Sequence, residues 1–98
     1  MTLDQFTATL TQTDPPSGLN PVLKGLWFDA KDQWEEAHNI AQSREGELPY
    51  DRLHAYLHRK EGDRFNANYW YRRAKTSFFD GSLEDEWRVL IRQFLNER

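Results

Sequence analysis

A chain of 98 residues is long enough for one domain with a single core, and little more. It has no cysteine, which excludes a disulfide framework, a thiolate nucleophile and cysteine-ligated metal. Thirteen basic side chains against 16 acidic ones leave a net charge of −3, so no general attraction to nucleic acid or anionic membrane is expected.

Four Trp, four Tyr and six Phe offset a hydrophobic content of 38%, because each ring buries a large area. No apolar run approaches the roughly 18 residues of a membrane span. The start, Met1 to Phe6, has neither the basic region nor the long apolar stretch of a signal peptide. The expectation is a cytoplasmic protein, with no membrane partner.

Thr2 and Gln5 form a capping-box pattern, and Leu3, Phe6 and Leu10 follow at helical spacing, so residues 3–12 read as a short amphipathic helix. Pro15 and Pro16 end it. Asn20-Pro21 starts a second helix, with the amide as N-cap and proline at the first helical position. Its apolar stripe is Leu23, Leu26, Trp27 and Ala30. Asp32 with Glu35 is a cap-like pair opening a third helix, on which Trp34, Ala37, His38 and Ala41 share a face. Gly46 and Pro49 mark the next turn.

The fourth helix is predicted over about 49–60, with Tyr50, Leu53 and Leu57 buried and His54 and His58 at the border of the core face. Gly62 suits the left-handed end of that helix and Asp63 the cap of the next, so the two must fold back as an antiparallel hairpin. The fifth helix, about 64–75, carries Ala67, Trp70, Tyr71 and Ala74 on one face and Phe65 and Tyr69 on another. Two apolar faces call for neighbours on both sides. Asp80-Gly81 is a turn, Ser82 a cap, and Leu83, Trp87, Leu90, Ile91 and Phe94 the stripe of the last helix, with Glu84, Asp85, Glu86, Arg88 and Arg92 on its outer side. No period-two alternation is sustained, so the predicted fold is all-α. It comprises five to six short helices in antiparallel hairpins, as one domain over 1–98.

A weak internal repeat runs through the chain. Asp32 to Ala37 overlays Gly62 to Ala67, each segment opening the second helix of a hairpin. Gly62-Asp63, Ala67, Trp70-Tyr71 and Ala74 resemble the second half of a tetratricopeptide repeat, and Trp34 with Ala37 resembles a degenerate copy about 30 residues earlier, against roughly 34 in that repeat. The resemblance implies stacked helical hairpins, a tetratricopeptide-like bundle.

The stretch from Gly25 to Ala74 also resembles a group of small uncharacterised bacterial helical proteins. It does so through Leu26-Trp27, the Trp34, Ala37, His38 set, and His54, His58-Arg59, Glu61-Gly62-Asp63, Asn66-Ala67 and Tyr69-Trp70-Tyr71-Arg72-Arg73-Ala74. That resemblance covers about half the chain and implies a shared fold without an activity.

The chemistry of the chain gathers between residues 54 and 74. His54 and His58, at i and i+4, put two imidazoles on one helix face at a spacing that chelates Zn²⁺. Ala55 stands where the catalytic zinc helix has glutamate, and a third ligand would come from Glu61, Asp63 or His38. The bland alternative is a pair of border histidines bonded to backbone or carboxylates. His58 with Glu61 or Asp63 could also work as an acid–base pair, though no Ser or Cys nucleophile and no phosphate loop accompany them.

Arg59, Arg72 and Arg73 among Tyr69, Trp70 and Tyr71 could grip a carboxylate or phosphate, or else pair with Glu61, Asp63 or Glu47. Asn66 is a poor helix former one turn into its helix, so it is either exposed or used through its amide.

The leading expectation is a protein-, peptide- or acidic-small-ligand-binding module on His54, His58, Arg59, Glu61, Asp63, Asn66 and Arg73, needing no cofactor and no metal. The alternative is a small metal-dependent or histidine–carboxylate enzyme. A homodimer through the hairpin surface is a third expectation.

Overall fold

The computed structural model describes residues 1–96. Among them are six α-helices and no strand: α1 Leu3–Ala8, α2 Pro21–Ala30, α3 Trp34–Ser43, α4 Leu48–Lys60, α5 Arg64–Arg73 and α6 Leu83–Leu95. The all-α expectation is met. No helix among these residues is long and apolar enough to cross a membrane.

Local chemistry sets most of the helix starts. Thr2 and Gln5 form the reciprocal capping box of α1. Asn20 accepts the Val22 N–H at 2.9 Å, Asp63 accepts that of Asn66 at 3.1 Å, and Ser82 accepts that of Asp85 at 3.0 Å. The first helix is shorter than expected. It tightens into a 3₁₀ turn at Thr9–Thr11, where the Thr9 hydroxyl donates to the Phe6 carbonyl. Asp32 is not the cap of α3, because it sits at φ 59°; Gln33 precedes the helix instead.

The two hairpins, α2–α3 and α4–α5, share one turn. Asp32 (φ 59°) and Gly62 (φ 86°) take the left-handed position. In each, the next N–H reaches back to close the helix end at 2.9 Å, Gln33 to the Phe28 carbonyl and Asp63 to that of His58. Ala37 and Ala67, five residues beyond each turn residue, are both fully buried. The overlay read from the sequence is therefore a repeated turn geometry.

Helix α4 is the axis of the molecule, packed by α5, α3, α2 and α6. Its residues 53–58 are buried without a break: Leu53, His54, Ala55, Tyr56, Leu57 and His58. The sequence shows a three-residue stripe there; burial on all sides follows from having four neighbours. Two further corrections concern charge. Asp29, not Ala30, is the buried residue at the end of α2, and Glu86 lies inside rather than on the outer side of α6.

Candidate functional site

The site forms where α3 crosses α4. Ala37 and Ala41 are the buried residues of α3, and their small side chains let the helix lie close to its neighbour. One turn apart on the same helix, Trp34 and His38 reach across α4. Trp34 is anchored by its indole N–H, which donates to the Leu57 carbonyl at 2.9 Å. His54 and His58 project from α4 at i and i+4, and Trp70 of α5 covers them from the far side.

Two aromatic stacks result. Trp70, His54 and His58 lie nearly parallel, with centroids 3.8 Å and 4.9 Å apart, and the Arg73 guanidinium lies 5.3 Å from the Trp70 ring at its outer end. Trp34 and His38 stack at 4.7 Å. The His38 ring meets both other imidazoles edge-on, at 4.7 Å and 5.2 Å.

At that crossing a ring nitrogen of each histidine lies within 4.8 Å of the others. Nε2 of His38 and Nε2 of His54 are 3.0 Å apart. Two nitrogens each about 2.0–2.1 Å from a tetrahedral zinc sit about 3.3–3.4 Å from one another, so a small adjustment would seat an ion. On the remaining histidine, Nδ1 is hydrogen-bonded to Glu61 Oε1 at 2.7 Å, which fixes the ring. Nδ1 of His54 is buried with no hydrogen-bond partner.

The electrostatics suit ligation. Burial, reinforced by the neighbouring imidazoles His38 and His58, pushes the pKa of His54 down to about 3. Burial and then His58 also lower that of His38, against Glu61, Glu35 and Glu45, which raise it. Both rings are therefore free of an extra proton at neutral pH, as metal ligands must be.

The seven residues expected to share one hollow do not. His54, His58, Glu61 and Asp63 are together, the last three with ligand atoms within 4.8 Å of one another, and they are joined by His38, which the sequence leaves as one of three options for a third ligand. Arg59 turns away, donating to Glu86 Oε1 at 2.8 Å and to the Gly81 carbonyl. Asp63 and Asn66 satisfy each other: besides the cap, the Asn66 amide donates to Asp63 Oδ2 at 2.7 Å. Asp63 is held below the usual carboxylate range by the Asn66 backbone N–H, then by that amide. Arg73 donates to the Tyr69 hydroxyl at 2.8 Å over the outside of α5.

What the sequence does not reveal is a set of buried carboxylates: besides Asp51, which accepts the Gly46 N–H at 3.0 Å, two lie on the other sides of α4. Glu86, with no exposure, accepts from Arg52 (2.7 Å), Arg59 and the Tyr71 hydroxyl. Asp29 accepts from Tyr56 (2.8 Å) and Lys60 (2.9 Å). Burial, then the carboxylate partner, raises the pKa of both tyrosines, so their hydroxyls stay protonated donors.

Besides a cleft of about 440 Å³ lined by Phe28, Ile40 and Tyr50, two clefts of small-molecule size open elsewhere. One of about 450 Å³ lies between α1, α2, α4 and α6, floored by Asp29, Tyr56 and Lys60. The other, of about 510 Å³, is lined by Arg59, Arg64, Phe78 and Phe79. Neither is lined by a histidine. Comparison with protein-family models, curated proteins and solved structures finds no match to this chain.

Proposed function

We propose that this protein is a transition-metal-binding helical module that holds one ion on His38, His54 and His58. The observation that carries this is the convergence of three ring nitrogens within 4.8 Å from two different helices, in a chain with only three histidines. Imidazole donors select Zn²⁺, Cu²⁺, Ni²⁺ or Co²⁺ over Mg²⁺ and Ca²⁺, which take oxygen ligands. A simple pair of hydrogen-bonded histidines would account for His38 and His54 but not for the third ring, oriented by its own carboxylate. The same ion would tie α3 to α4.

The test is metal analysis and titration calorimetry on protein purified without a histidine tag. One zinc per chain is expected, lost in the His54→Ala/His58→Ala double variant and in His38→Ala. A folded chain that takes up no Zn²⁺, Cu²⁺ or Co²⁺ would refute the proposal.

A second reading, recognition of an acidic small ligand or peptide without metal, is favoured by the 510 Å³ cleft, where the Arg64 guanidinium stands 4.2 Å from the Phe78 ring. Arg59, beside it, is already paired with Glu86, which it shares with Arg52, and this weakens that reading. The lack of cysteine fits a reducing compartment, and we place the protein in the cytoplasm on that ground.

A further inference from the structure

We infer that the metal ion held by His38, His54 and His58 keeps one coordination position open and takes a small exogenous anion there. The inference rests on the metal-binding reading above and adds what the ion does with its fourth valence. Three neutral nitrogens leave a zinc-class ion one ligand short of a tetrahedron. Among the described residues no carboxylate oxygen lies within 4.8 Å of all three ring nitrogens, although Glu35, Glu45 and Glu61 act on His38 through their charge. Glu61 sits on Nδ1 of His58, the opposite edge of the ring from Nε2. Asp63 belongs to the cap of α5, accepting twice from Asn66.

Aromatic rings flank the cluster. Trp34 lies flat on His38 and edge-on to His58 at 6.0 Å, and Trp70 lies flat on His54. Indole rings do not complete a zinc sphere, so with no further donor among the described residues the fourth ligand comes from outside. His38 is the least buried of the three, which puts the approach on the α3 side.

With three neutral ligands the ion keeps its full double charge, which favours a monodentate anion or a water that readily loses a proton. Trp34 and Trp70 pack against the histidines, and no histidine lines any of the larger clefts, so the ligand must be one of few atoms, such as hydroxide, azide or cyanate. Built this way, the site differs from a closed structural zinc, which has four protein ligands.

Cobalt substitution tests the inference, because the visible spectrum of Co²⁺ reports its coordination. The full chain loaded with one Co²⁺ is titrated with sodium azide at pH 7.5, and its mass in solution is followed by sedimentation. A saturable change in the Co²⁺ bands at one ion per monomeric chain is expected. A Co²⁺ spectrum that azide leaves unchanged would overturn the open position while leaving metal binding intact. One ion shared by two chains would overturn it too, since the second copy would then supply the missing ligand. Failure of the folded chain to bind Co²⁺ at all would remove both the inference and the reading beneath it.

Discussion

At the scale of single residues, His54 carries the sharpest consequence. It is 2% exposed, stacked under Trp70, and faced by His38 from α3 and His58 from its own helix, with no carboxylate hydrogen-bonded to it. Its folded-state pKa of about 3 lies below the ordinary value of 6.5, so the unfolded chain binds the extra proton first. Its contribution to stability is complete above about pH 6.5 and is lost as the pH falls toward 3. Metal-free protein in chelator should therefore melt at a lower temperature at pH 5 than at pH 7.5. His54→Phe, which keeps a ring against Trp70, should show a flatter profile; equal slopes would disprove the assignment. Glu61→Gln should weaken zinc binding by roughly 10–100-fold, the usual effect of losing a carboxylate behind a histidine ligand. An unchanged affinity would mean that Glu61 is only a surface partner.

At the scale of elements, the hairpin ends were legible and the faces less so. Gly62 and Asp63 announce their turn because left-handed backbone and N-capping are local demands that few residues meet. Removing the cap by Asp63→Ala should cost about 1 kcal/mol in urea denaturation and leave metal binding unchanged. Helix α5 departs from expectation: its second apolar face has no helix against it, and Phe65 is 84% exposed. Phe65→Ser should shift stability by no more than about 0.5 kcal/mol, since the ring buries little; a loss of several kcal/mol would show that this face is covered in solution. The i, i+4 spacing of His54 and His58 is a property of one helix and can be read directly. The meeting with His38 depends on how α3 crosses α4, which no local pattern encodes. Arg59 points elsewhere for a related reason: its partner, Glu86, lies 27 residues further along the chain.

At the scale of the whole molecule, α6 is fastened to both hairpins by polar groups. The Trp87 indole donates to the Leu26 carbonyl of α2 at 3.0 Å, and Glu86 gathers Arg52 and Arg59 of α4 with Tyr71 of α5. The acidic run Glu84-Asp85-Glu86 looks like a solvated surface in sequence, yet its third member is interior. Only the three donors that converge on it make that tolerable. Glu86→Ala leaves two partly buried guanidinium groups without their anion and should cost about 3–5 kcal/mol, read as a lower urea midpoint. A loss below about 1 kcal/mol would mean that water reaches the arginines. The four indoles divide along the same lines. Trp34 and Trp70 lie on the imidazoles, whereas Trp27 reaches Thr9 and Trp87 packs on Phe6. The protein thus has a built-in optical gauge. Cupric ion seated among the histidines would darken the first two fluorophores and leave the others glowing, so occupancy could be followed in the native chain without any dye.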